Sequence, residues 1–436
     1  MRPRQSKPRL LQAMFDAFSL PDLRRRILLT VGILVIFRFV AHVPLPGVDI
    51  AALQALFERN ALLGMLDMFS GGAMRRLSVA AMGVYPYITA SIIMMLLVPV
   101  IPRLQALSRE GETGRNKINL ITHWLVIPLA SVQGYGQLVY FQREGVVSST
   151  TPLPMIAMVL SMVAGTIFLV WLGELITEYG IGNGISIIIF GGIVAGIPTM
   201  IGQGFLAKEN FIGLTVYVLI VVLTIAVIVI FTEAHRRIPV QYAKSVFRSG
   251  RMYRQSGTTH IPLRVNSAGM IPLIFAMSLV LFPGIVASYF ANPAEPNIAD
   301  WIMRLFNPNA PLPLGLFYWG LYFAMAVAFT FFYTSVIYQQ QDLPGVLQRQ
   351  GGFVPGIRPG KTTAAYLNGV ISRITWGGAL FLACVAVMPF VAQQITNVQV
   401  IQLSSLGLII MVGVVLDTMK QLEAQLVMRR YEGFIR

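Results

Sequence analysis

The 436-residue sequence has a single cysteine, Cys384, and four histidines. One thiol cannot build a disulfide framework or a thiolate metal site. His42, His123, His235 and His260 are scattered, so they read as loop or interface residues rather than metal ligands, and no metal or other cofactor is expected. No HExxH, GxSxG or Walker A pattern occurs, which removes zinc proteolysis, the nucleophile elbow and P-loop ATP hydrolysis. The stretch GIGNGIS, Gly180–Ser186, has no Lys and no flanking strand, and it suits a tight turn into a helix start. An intramembrane protease lacks its nucleophile, metal cluster or carboxylate pair, and no enzyme activity is expected. Charged residues are only 12% of the chain. None of the acidic ones falls in the middle of a stretch long enough to span a bilayer, where an ion-coupled solute carrier would need one.

Hydrophobic residues, by contrast, make up 56% of the chain, and the mean hydropathy is +0.69. Apolar runs of about 20 residues match a bilayer core of about 30 Å. They lack the alternation of barrel strands. Ten spans are expected, near 24–43, 77–101, 118–138, 154–173, 184–203, 211–231, 267–290, 313–335, 371–391 and 401–419. The first follows Arg24, Arg25 and Arg26 at full length with no cleavage pattern, so it reads as a span that stays. The expected fold is an all-α polytopic membrane protein. Ten spans divide evenly around the segment near Lys208. The layout is that of an inverted repeat, with no residue-level repeat visible.

Most of the 33 Lys and Arg fall on one side if ten spans alternate. They fill the tail 1–23, the loop between spans two and three, the long loops at about 232–266 and 336–370, and the tail 421–436. The excess of basic residues places both termini in the cytoplasm, in a cell membrane. One loop on that side dissents: the short one after span four carries Glu174 and Glu178 and neither Lys nor Arg. Arg38 lies near the outer end of span one, where it can snorkel. The two long loops mix Arg, Tyr, Phe, Gly and Pro, as docking surfaces do. Anionic lipid accounts for much of the remaining basic charge.

After span one, Asp49 is placed to cap a short helix from Ile50 to Glu58, with Ile50, Leu53, Leu56 and Phe57 along one side. ALLGMLDMFSGGAMRR follows. Its apolar part is too short to span a bilayer, and Gly71 and Gly72 break it before the next long run. Non-helical backbone cannot face lipid. Two readings remain: a half-helix that re-enters and stops inside the protein, or an amphipathic helix flat on the outer surface.

Four stretches carry a likeness. FSGGAMRRLS…GVYPYITASIIMMLL, WLGELITEYGIGNGISIIIFGGIVAGIP, YAKSV…THIPLRVNSAGMIPLIFAMSLVLFPG and FVPGIRPGKTTAAYL occur in this order. From about residue 20 onward the chain resembles the bacterial SecY family, the central channel subunit of the SecYEG protein translocase. The resemblance implies ten helices in two pseudo-symmetric halves, 24–203 and 204–420, that open like a clamshell. It implies a plug at about 60–74, with Leu66, Phe69, Gly71 and Gly72 in it. It implies an aliphatic pore ring at Val84, Ile88, Ile189, Ile274, Val286 and Ile410, and a lateral gate opening to lipid, for which Thr89, Ser91, Ser267 and Ser278 are available polar residues. Helix packing is the alternative role for each ring residue. The long loops, through Lys244, Arg248, Arg251 and Arg358, are expected to meet the SecA motor or the ribosome. SecE and SecG are the expected subunits. An unfolded preprotein with its signal peptide is the expected cargo, and transmembrane segments are released sideways into lipid.

Overall fold

The computed structural model describes residues 20–59, 63, 67, 70–148, 151–206, 211–248, 251–269, 271–290, 297–307, 310, 313–341, 343–358, 360–396 and 405–432. Its helices are α1 (Pro21–Val40), α2 (Ile50–Arg59), α3 (Tyr85–Leu97), α4 (Pro102–Arg109), α5 (Glu112–Arg143), α6 (Pro152–Tyr179), α7 (Gly184–Leu206), α8 (Phe211–Glu233), α9 (Ile271–Phe290), α10 (Ile298–Leu305), α11 (Leu314–Gln341), α12 (Leu343–Arg349), α13 (Lys361–Thr396) and α14 (Ser405–Glu432). Three strands, β1 (His235–Arg248), β2 (Arg251–Arg264) and β3 (Gly352–Phe353), form one sheet in the order β2-β1-β3.

Each of the ten expected apolar segments contains a helix. Among the described residues, α6, α11 and α13 carry continuous apolar stretches long enough to cross a bilayer alone. The outward faces of the bundle are apolar as well: Val35 is 64% exposed, Phe39 72%, Val132 72% and Leu153 77%. A water-soluble protein rarely shows so much contiguous greasy surface, whereas a bilayer requires it. The molecule is an all-α polytopic membrane protein with one small sheet outside the spans.

Packing divides the helices into two groups. In the first, α1 lies on α6 and α7, α3 on α5, and α5 and α7 flank α6. In the second, α13 packs on α8, α11 and α14, and α9 lies on α11. The principal contacts between the groups run from α7 to α14 and from α5 to α9. Lys420 Nζ lies 2.7 Å from a Glu233 carboxylate oxygen, tying α14 to α8. The Gly182 N–H donates to Gln421 Oε1 at 2.9 Å, tying the α7 entry to α14.

Two segments differ from the sequence expectation. The second span, expected from 77, becomes helical only at Tyr85. Leu77 adopts φ 41° and Gly83 φ 57°, both left-handed, so the helix cannot run through them. Pro86 then sits in the first turn of α3, where its missing N–H is harmless. After Leu97 the chain bends by 102° into α4. The long loop at 232–266 is a hairpin rather than irregular chain. Its register runs from His235↔Arg264 to Arg248↔Arg251. Ile238 and Val240 alternate with exposed neighbours, and Ile261 and Leu263 share their face. That face packs on Leu347, Val354 and Leu367 from the other long loop and α13. β3 completes the sheet by pairing with Gln241 and Tyr242. The two loops, far apart in sequence, therefore fold into one unit.

Other local expectations match. Asp49 Oδ1 accepts the Ala51 N–H at 2.9 Å and the Ala52 N–H at 3.2 Å, and α2 buries Leu53 and Leu56. Ile50, placed on the same side from sequence, is instead 50% exposed. Asn183 Oδ1 accepts the Ser186 N–H at 3.1 Å at the entry to α7.

Candidate functional site: the buried aliphatic cluster and the glycine break

The largest buried cluster joins both helix groups. Val84, at the N-cap of α3, and Ile88, one turn later, belong to it. Ile189 on α7, Ile274 on α9 and Ile410 on α14 belong to it too. None of these five is more than 8% exposed. Four helices thus contribute aliphatic side chains with no hydrogen-bonding group to one buried cluster, which also holds Tyr318, Tyr322 and Tyr333. Val286 behaves differently: it is only half-buried and lies outside the cluster. It stands 12 residues beyond Ile274 on α9, about 18 Å along the axis, so the two cannot share one level. Ile193, one turn after Ile189, is 7% exposed and inside the cluster. The sequence reading passed it over, although Val84 and Ile88 show the same four-residue spacing.

The glycine break sits against this region. Gly71 and Gly72 take φ of +68° and +84°, which side chains disfavour. A Cβ built on Gly71 would come within 2.8 Å of both Gly192 Cα on α7 and Phe37 Cζ on α1. A Cβ on Gly192 would come within 2.6 Å of Gly71 Cα. Backbone meets backbone here, and only glycine on both sides permits it. The break is therefore inside the protein. Leu66 and Phe69 lie outside the described residues.

Two charged side chains, neither assigned here from the sequence, hold the break. Arg38 turns inward and donates through Nη1 to the Gly71 carbonyl oxygen at 2.7 Å, rather than snorkelling outward. Asp67 is 6% exposed. Its Oδ1 accepts the Met74 N–H and the Arg75 N–H, both at 3.1 Å, and the Ser70 hydroxyl at 3.3 Å. Its Oδ2 lies 3.0 Å from Arg75 Nε. The Gly72 N–H returns to the Asp67 carbonyl oxygen at 3.0 Å. One carboxylate thereby ties the chain before the glycines to the chain after them. An isolated acid in an apolar run signals such a role only when the amides it caps are known to turn back on it.

The polar residues expected near a lateral seam are spread out. Thr89 Oγ1 donates to the Tyr85 carbonyl oxygen within α3, at 3.1 Å. The Ser267 hydroxyl pairs with the Tyr338 hydroxyl at 2.7 Å. Ser278 is 7% exposed on α9. Ser91 on α3 interacts with Tyr87. In the extramembrane unit, Arg358 is exposed beside β3, and its carbonyl oxygen accepts the Thr363 hydroxyl at 2.8 Å. Arg248 and Arg251 pair directly across the hairpin tip, and Lys244 pairs with Gln255. Among the described residues no three His, Cys, Asp or Glu side chains gather.

A sequence profile described as SecY matches residues 78–419. The protein translocase subunit SecY of Streptomyces scabiei is 41% identical across 98% of this chain and the whole of its own length. Among solved structures, one concerns the plug domain of a SecY protein that stabilises the closed translocation channel. It superposes with a TM-score of 0.65 at 17% identity, covering 95% of this chain and 97% of its own. Sec61 in the canine ribosome–channel complex superposes with a TM-score of 0.65 at 16% identity over the same shares. At these identities the structural likeness is one of fold.

Proposed function

The chain belongs to the SecY family and is the channel subunit of a protein translocase, and we propose that it works as ten spans clamped around one aliphatic constriction. The observation that supports this most is the buried cluster of Val84, Ile88, Ile189, Ile274 and Ile410. Four helices contribute these buried aliphatic side chains to one cluster, and none of the five carries a hydrogen-bonding group. Such a constriction blocks ions by excluding water and grips no particular sequence in a passing chain. Val286, on its level, is better read as packing. The segment at about 60–74 is the plug, seated by the Gly71–Gly192 approach and by Asp67 and Arg38. Displacing it opens the outer funnel.

The halves 24–203 and 204–420 move against each other, and the α5–α9 contact is a seam that parts to release apolar segments into lipid. Both termini and the sheet face the cytoplasm, as the Lys and Arg distribution favours. Lys244, Arg248 and Arg251 of the hairpin sequence and the exposed Arg358 suit an anionic partner, the SecA motor or ribosomal RNA. The partner supplies the energy, and SecE and SecG complete the assembly.

The test is protease protection of a labelled, unfolded precursor in proteoliposomes holding the complex, SecA and ATP. Protection that falls at least tenfold with Arg358→Glu supports the reading. Saturable uptake of a small solute without any protection overturns it.

A further inference from the structure

Between α5 and α6 lies a groove of about 300 Å³ that the channel reading does not use. Leu120, His123, Trp124 and Ile127 line it from α5, at the three- and four-residue steps of one helix face. Ile167, Trp171 and Glu174 line it from α6 with the same steps. The helices run antiparallel, so polarity is sorted along the groove. His123 and Glu174 meet at one end, 3.0 Å apart, and the isoleucines occupy the other. The Tyr87 ring stacks behind His123 at 5.7 Å, fixing the imidazole from the protein side.

The open side faces outward. Trp124 is 67% exposed and Trp171 51%, on the face that a bilayer covers. Glu174 is the acidic group lining the groove, and no Lys or Arg lines it. Glu174 also sits near the C-terminus of α6, whose dipole end favours a cation. Glu178, four residues on in α6, adds a second acid, and no basic residue follows before α7. This is the loop that departs from the basic excess of its neighbours, and a cation-binding role gives that departure a reason.

We propose that this groove binds a membrane phospholipid through a primary ammonium headgroup. The Glu174 carboxylate accepts hydrogen bonds from the ammonium. The indole faces of Trp124 and Trp171 attract the cation further. The acyl chain lies along Ile127 and Ile167. A phosphoglycerol headgroup offers the carboxylate no cation. A choline headgroup offers a cation that cannot donate a hydrogen bond.

The experiment is native mass spectrometry of the assembled complex, with its partner subunits, in equimolar phosphatidylethanolamine, phosphatidylcholine and phosphatidylglycerol of identical chains. Retained phosphatidylethanolamine should exceed phosphatidylglycerol about tenfold, the size of one charge-assisted contact of about 1.4 kcal/mol. Phosphatidylcholine should fall between them. Glu174→Gln should erase the preference, and Glu178→Gln should preserve it. Trp171→Leu, which leaves the carboxylate in place, should weaken retention several-fold. An unchanged lipid ratio in Glu174→Gln overturns the proposal, as does a preference for phosphatidylglycerol. Retention by the isolated chain but not by the complex also overturns it, because a partner helix then covers the groove.

Discussion

Gly71→Ala tests the seating of the plug at its tightest point. Gly71 has φ +68°, and an alanine there costs about 1–2 kcal/mol in backbone strain. The new methyl would lie 2.8 Å from Gly192 Cα, and neither backbone can yield without moving its element. Inserting a methyl into a packed contact costs about 1–3 kcal/mol more. The sum, about 2–5 kcal/mol, raises the ratio of displaced to seated plug roughly 30- to several-thousand-fold.

Two companion variants separate these terms. Gly72→Ala meets nothing within 4 Å at φ +84°, so it carries the backbone strain alone and should shift the ratio about 5- to 30-fold. Gly192→Ala lies within α7, where alanine favours the helix by about 1 kcal/mol, so any leak it causes comes from the contact. The assay is resting ion conductance of the complex in planar bilayers, without precursor. The expected order of leak is Gly71→Ala above Gly72→Ala, with Gly192→Ala above wild type. Equal leak from Gly71→Ala and Gly72→Ala, or a tight Gly192→Ala channel, would refute the close-approach argument.

Asp67→Ala strands the Met74 and Arg75 amides that the carboxylate caps, at about 2–4 kcal/mol, and should leak in the same assay. Asp67→Asn keeps the Oδ1 acceptor for the two amides but sets an amide N–H against the half-exposed Arg75 Nε–H, so it should leak less than Asp67→Ala. Ile88→Ser with Ile410→Ser wets the constriction and should raise ion flux when a signal peptide opens the channel, whereas Val286→Ser should not. Val240→Asp buries a charge under the sheet and should weaken motor or ribosome binding at least tenfold, measured by co-sedimentation, with resting conductance unchanged.

Local features were the ones legible in the sequence. Apolar runs located the long helices, Asp49 announced α2, and Asn183 announced the start of α7, because each signal acts within a few residues. The hairpin was hidden by Pro239 and Pro262, which argue against strands. Its buried face is completed by Leu347, Val354 and Leu367, about a hundred residues on. The late start of α3 depends on the left-handed Leu77, a residue type that gives no such warning. Arg38 and Asp67 acquire their roles only once Gly71 has been brought between α1 and α7. The level of a ring residue is likewise tertiary. α9 buries Leu273 through Met277 in succession, so its periodicity does not mark which side faces the constriction.

The central claim is that a polypeptide passes through the cluster of Val84, Ile88, Ile189, Ile274 and Ile410. Photo-crosslinking residues placed singly at these five positions, at Val286 and at the exposed Val35 would be tested against a radiolabelled precursor arrested in mid-transit. The account predicts precursor adducts from all five, with little from Val286 and none from Val35. Adducts spread equally over all seven positions, or absent from the five while translocation proceeds, would contradict it.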